Sequence, residues 1–364
     1  MNRFCIALSL ILLPVAFLAA DDARSADGSS AADGSSAADG SSSADGSHAA
    51  DGSYAADGSY EPPRTPEGRP DLQGVWTNAS ITTLQRAARY PNLVLSSDEV
   101  VRATEEHPQN VRQATDDNLQ PGELLDGSDL GMGRGYNAFW IDPGVSFGLV
   151  KGEYRTSWIV EPDNGRIPYT DQGQSMMRDY RAIFSGNDGP EGRSLGERCL
   201  IGFGGTGGPP MLNVLYNNHY QIVQTSDYLM IMVEMNQDAR IIPINGKHRP
   251  SELKQWLGDS IAWWEGDTLV VETRNLHPQQ AQSGSVALSD QGRITERFSR
   301  WSDDQILYEF EVEDPVYYSQ TWRGEMSFNA AEGRVYEYAC HEGNYGLPGI
   351  LAGERRAEMD AAQQ

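Results

Sequence analysis

The stretch Ile261–Asn275, IAWWEGDTLVVETRN, decides the fold. Ile261–Trp264 and Thr268–Asn275 are runs of β-branched, aromatic and aliphatic residues, and Glu265-Gly266-Asp267 between them is turn chemistry. Two strands joined so tightly are antiparallel neighbours. Trp263 and Trp264 are adjacent, so the two-residue period of a strand sends one ring to each face of the sheet.

The same pattern recurs in both directions. Ile294–Trp301 passes Ser302-Asp303-Asp304 into Ile306–Glu313, and Thr321–Phe328 turns at Ala331–Gly333 into Val335–Cys340. Upstream, Thr156–Glu161 turns at Asp163-Asn164-Gly165 into Arg166–Tyr169. His219–Gln224 leads through Ser226-Asp227 to Tyr228–Glu234, and Asn236–Asp238 turns into Arg240–Ile244. About ten strands in sequence order form a meander, which removes its own edges most simply by closing. The expected fold is mainly β: an antiparallel meander closed into a calycin-like β-barrel with a few peripheral helices. A β-sandwich is the alternative. Capping and periodicity place helices at Ser97–Glu106, Asp171–Phe184, Ser251–Leu257 and Gly349–Ala362.

The chain has 364 residues, 52 Asp and Glu against 28 Lys and Arg, and a net charge of −24. Its organisation reads as three parts: residues 1–20, 21–60 and 61–364. Met1–Ala20 has Arg3, an apolar run and Ala19-Ala20 before Asp21, the pattern of a secretory signal peptide. Residues 21–60 hold six copies of an ADGSxA-type hexad, with nothing apolar to bury, and read as a disordered acidic linker. Residues 61–364 read as one β-rich globular domain. The expected location is secreted or periplasmic, without stable membrane insertion after signal removal. The acidic balance excludes nucleic acid as a partner, because phosphate binding needs a basic face.

Cys199 and Cys340 are an even pair in a chain bound for an oxidising compartment, which suggests one disulfide worth roughly 4–5 kcal/mol on the chain-entropy argument; two free thiols are the alternative. Gly202, Gly204 and Gly207 match a dinucleotide fingerprint, but Pro209-Pro210 blocks the helix that motif requires. The stretch reads instead as a loop, with a lid over the barrel mouth as one role. Gly192-Arg193-Ser194-Leu195-Gly196 matches a nucleophile elbow without the strand and helix the elbow needs. No cofactor and no metal site is expected.

Tyr336–Tyr345, YEYACHEGNY, carries the densest local chemistry. His341 can serve as general acid or base with Glu342 to orient it, or as a structural histidine at the barrel rim. Arg198 or Arg240 can hold an anionic group. His219, Glu234 and Arg240 fall on successive strands, where Arg240 and Glu234 can also form a plain salt bridge. Trp264, Trp322, Tyr338 and Asn344 complete the candidate ligand contacts, because aromatic rings inside a barrel suit aromatic or sugar ligands as well as core packing. His248 and His277 sit in loops and are expected to be exposed.

Arg64–Trp76 (RTPEGRPDLQGVW), Glu197–Leu200 (ERCL), Trp264–Thr273 (WEGDTLVVET) and Tyr336–Tyr345 together resemble a family of uncharacterised exported bacterial proteins. That resemblance implies export and brings no activity. The family pattern often has a His where this chain has Gln237, so a metal role there would be lost. The PDLQGVW segment is also similar to the opening strand of lipocalin-like barrels, where a Trp plugs one end, a fold-level analogy only.

The expected function is binding of a small apolar, aromatic or sugar-like ligand by an exported barrel. The alternatives are a secreted hydrolase, lyase or isomerase using His341, and a surface-displayed structural or adhesive module.

Overall fold

A computed structural model describes residues 60–117, 141–183, 186–283 and 286–363. The segments expected to be a signal peptide and, in nearly all of its length, a hexad linker lie outside the described residues.

In chain order the elements are β1 (Gly74–Thr77), β2 (Val94–Leu95), α1 (Ser97–Glu105), α2 (Pro108–Asp117), β3 (Leu149–Val150), β4 (Glu153–Arg155), β5 (Ile159–Glu161) and α3 (Asp171–Ile183). Then follow β6 (His219–Gln224), β7 (Tyr228–Val233), β8 (Ala239–Pro243), β9 (Asp259–Glu265), β10 (Thr268–Arg274), α4 (Pro278–Ser283), β11 (Arg293–Ser302), β12 (Gln305–Glu313), β13 (Trp322–Ala330), α5 (Cys340–Gly343) and α6 (Gly346–Ala362). Strands β2, β4 and β3 form a small separate sheet.

The large sheet runs β8-β7-β6-β1-β13-β12-β11-β10-β9, with β5 also paired to β13. One sheet curls nearly onto itself, so the molecule is a nearly closed antiparallel barrel and the sandwich alternative falls. Strands β6 to β13 meander in sequence order, and β1 fills the gap between the first and last of them. Eight successive antiparallel pairings leave the two end strands pointing the same way. Closure therefore has to be parallel, and the Ile244–Ala262 bridge between the β8 and β9 sides is parallel. It is reinforced by the Asn245 amide donating to the Ala262 carbonyl at 2.6 Å.

The hairpins are built as their sequences dictate. In β6, Tyr220, Ile222 and Gln224 point inward and alternate with half-buried partners. Glu265 pairs with Thr268, so the β9–β10 turn has two central residues, and Gly266 (φ 62°) supplies the positive φ such a turn needs.

The barrel has a turn end and a loop end. The β6–β7, β9–β10 and β11–β12 connections are tight and share one end. The connections after β1, β10 and β12 all leave from the other end. The segment before β1 plugs the turn end. The Leu72 amide donates to Gln224 Oε1 (2.9 Å), Trp76 Nε1 donates to the Leu72 carbonyl (3.1 Å), and the Arg300 guanidinium lies 4.9 Å from the Trp76 ring. The interior is filled. Tyr220, Phe298, Tyr308, Phe310, Trp322 and Phe328 are all less than 2% exposed and meet largely edge to face.

Three expected elements differ. Val335–Cys340 is not a strand: β13 already has β12 on one side and β1 with β5 on the other, so no edge remains for it. Residues 331–345 instead run back toward the loop end, where Cys340 begins the short helical turn α5. Arg166–Tyr169 does not return as a hairpin, because the Ile167 amide donates to Gln85 Oε1 and the Arg86 amide donates to the Gly165 carbonyl. Ser251–Leu257 is a turn segment, fixed by the Gln255 amide on Asn275 O and the His277 amide on Gln255 O.

Candidate functional site

A cleft of about 890 Å³ opens at the loop end, beyond the packed interior. One wall is Ser80–Gln85, the chain leaving β1. It is held by the Trp158 amide on Thr83 O (3.0 Å) and the Ile159 amide on Leu84 O (3.1 Å). The floor is Leu212–Tyr216. Asn213 ties it to the first wall by donating to the Ser80 and Thr82 carbonyls (2.7 and 3.1 Å) and accepting from Trp158 Nε1 (2.8 Å). A third side brings Ile167, Tyr169 and Arg181 of α3, and Thr170 caps that helix by accepting the Gly173 amide at 2.9 Å. Phe203 and Gly204 close the far side, with His107 and Gln109 at the mouth.

Electrostatics are local. Burial pushes the Tyr169 phenol up, opposed by the nearby Arg181 charge. Burial lowers the His107 pKa, helped by the Arg89 charge; its Nδ1 accepts the Gln109 amide at 3.3 Å, which places the ring proton on Nε2. Apart from Gly204, in the loop read as a lid over the barrel mouth, the cleft residues carry no signal of their own in the sequence, because they come from several separate loops. The available signal was the length of the connection between β1 and β6.

The expected site residues are dispersed. Cys199 and Cys340 form a disulfide with Cα atoms 5.8 Å apart. Asn344 serves this joint, donating to the Glu197 carbonyl at 2.7 Å. His341 and Glu342 are exposed on α5, and neither lines the cleft, so the acid–base pairing expected of a strand end is not assembled. Arg198 is half-buried beside the disulfide, with Nη1 left without a partner.

Glu234 and Arg240 do not pair. Glu234 follows β7 in helical conformation (φ −62°, ψ −44°), so it leaves the inward alternation and meets His219 Nδ1 at 2.8 Å. The hydrogen bond from Glu234 raises the His219 pKa. Burial pushes Glu234 up, but the His219 bond and charge, the Tyr336 amide and Asn217 bring it below the ordinary carboxylate value. Arg240 points into the barrel and forms a buried ion pair with Glu296; its Nη2 also donates to Thr273 Oγ1 at 3.2 Å, and Tyr308 donates to Glu296 Oε1 at 2.8 Å. No solute reaches Arg240.

Trp264 and Trp322 both lie outside the cleft lining. Trp264 faces inward at the turn end with the Arg69 guanidinium 5.7 Å from its ring, and Trp322 sits 5.9 Å from Phe310. Tyr338 packs partly buried against the core. His248 is not exposed in a loop as expected: its ring bridges Asp259 (2.8 Å) and Glu272 (3.0 Å), pinning the crossover to β9 and β10. His277 is half-buried and stacks on Trp256 at 3.9 Å.

The two glycine motifs resolve physically. Ser194 and Glu197 form a capping box, with each side chain taking the other's amide (3.3 and 2.9 Å), so the serine hydroxyl is committed. In Gly202–Gly207 the Gly202 amide donates to Asp238 Oδ2 at 2.7 Å, so a carboxylate occupies a donor that a phosphate would need. Among the described residues no group of His, Cys, Asp and Glu side chains is placed to hold a metal, and no helix is long and apolar enough to cross a membrane.

The chain matches no protein-family model and no curated protein sequence.

Proposed function

We propose that the protein is an exported β-barrel that binds a small, mainly apolar ligand in the loop-end cleft and not in the barrel interior. One observation carries the reading. The interior is filled by aromatic side chains, while a concavity within the size range of small-molecule sites lies at the loop end, lined largely by the long connection between β1 and β6. The barrel is then a scaffold, and the loops at one end form the binding surface. The disulfide supports export, because such bonds persist in oxidising compartments.

Fluorescence titration with the neutral probe N-phenyl-1-naphthylamine tests this. Saturable binding is expected, lost in Val214→Trp, which fills the cleft, and retained in Tyr228→Trp on the outer wall, with both variants melting near the parent. No saturation, or saturation indifferent to Val214→Trp, overturns it.

A further inference from the structure

The cleft has an unusual charge composition for this chain. The sequence carries 52 acids, yet no Asp or Glu lines the cleft among the described residues. Among the described lining residues Arg181 carries the one full charge, and no ion pair to it occurs among the described residues. Among the described residues, no other side-chain tip of the lining left without a protein partner is an acceptor alone. Gln85 spends its Oε1 on the Ile167 amide, leaving its Nε2. His107 spends Nδ1 on the Gln109 amide, leaving Nε2–H. The Tyr169 hydroxyl and the Gln109 amide can each donate or accept. Much of the rest of the lining is apolar, with Leu84, Ile167, Phe203, Leu212, Val214 and Met235.

We infer that the occupant is an amphiphilic anion, an apolar body carrying a carboxylate-like head, with the head paired to Arg181 and the body against Leu212 and Val214. This rests on the cleft being the binding site. A net charge of −24 repels a free anion at long range, so affinity for one has to come from a local arrangement of donors with no competing carboxylate. Arg181 supplies a planar fork suited to a carboxylate. A neutral ligand would leave these donors to water and make no use of the cation.

Calorimetric titration of the full chain with decanoate and decanol separates the possibilities. Decanoate is expected to bind about tenfold or more tightly than decanol, in line with a charge-assisted pair. In Arg181→Gln the decanoate advantage should vanish with decanol affinity unchanged, and Arg181→Lys should restore part of it. Equal affinities in the parent overturn the anion inference and leave the cleft reading standing. An advantage that survives Arg181→Gln overturns the assignment of Arg181. Binding of neither compound removes both readings.

Discussion

His219 and Glu234 are joined by one 2.8 Å hydrogen bond at the rim of the barrel, and the directions of their pKa shifts fix how the contact depends on pH. A raised His219 value makes its contribution complete below the unfolded histidine pKa and loses it as pH rises through the folded value. A lowered Glu234 value makes its contribution complete above the unfolded glutamate pKa and loses it as pH falls through the folded value. Both conditions hold together between about pH 4.3 and about pH 6.5. The His219 side chain is 34% exposed, so the pair is screened and worth about 1 kcal/mol at most. Thermal melts of the parent and His219→Gln across pH should differ most inside that window and converge on both sides. A difference that stays flat with pH would show that packing, and not the charged pair, stabilises the rim.

At the scale of elements, the disulfide joins two segments that hydrogen bonds hold only lightly. The strap from Val335 to Tyr345 reaches the loop end through the Tyr336 amide on Glu234 (3.4 Å), the Asn344 side chain and the Cys340 link. The bond spans a sequence separation of 141, for which the chain-entropy argument gives about 5 kcal/mol as an upper figure. Cys340→Ser is expected to lower unfolding stability by about 2–4 kcal/mol in urea with an unchanged strand signal in circular dichroism, since no barrel strand depends on the strap. An unmoved urea midpoint would mean that the bond constrains nothing the unfolded chain explores. The hairpins from β6 through β13 were legible in the sequence because alternation and turn chemistry are local: Trp264, Gly266 and Leu269 state their own register. The position of β1 was not, because its partners β6 and β13 lie far along the chain. YEYAC misled for the same reason, since its pattern fits a strand and only the closed ring shows that no edge was left to pair with. The candidate site residues were the hardest to place. Arg240 was singled out for its charge, but its inward register, opposite Ile231, committed it to Glu296 in the core.

For the whole molecule, nine strands in an alternating ring force one parallel junction, and that junction is made of very little. Strand β8 pairs fully with β7 but meets the β9 side through a single bridge, whereas β11 and β12 pair over nearly their whole length. The buried network of Arg240, Ser260, Thr273, Glu296 and Tyr308 spans this seam from inside and does the holding that backbone bonds do elsewhere. Local opening should therefore start at β8. Native-state amide exchange is expected to show the weakest protection among the barrel strands in β8 and on the facing edge of β9, and the strongest in β11 and β12. Glu296→Gln keeps an acceptor for Tyr308 but strips Arg240 of its counter-charge. Leaving a buried cation unpaired should cost about 3–5 kcal/mol. The faster exchange it causes should concentrate in β8 and β9. Uniform protection around the ring in the parent, or loosening in Glu296→Gln spread evenly over β10 to β13, would show that the barrel closes as firmly at this junction as anywhere, and that the ion pair is incidental to closure.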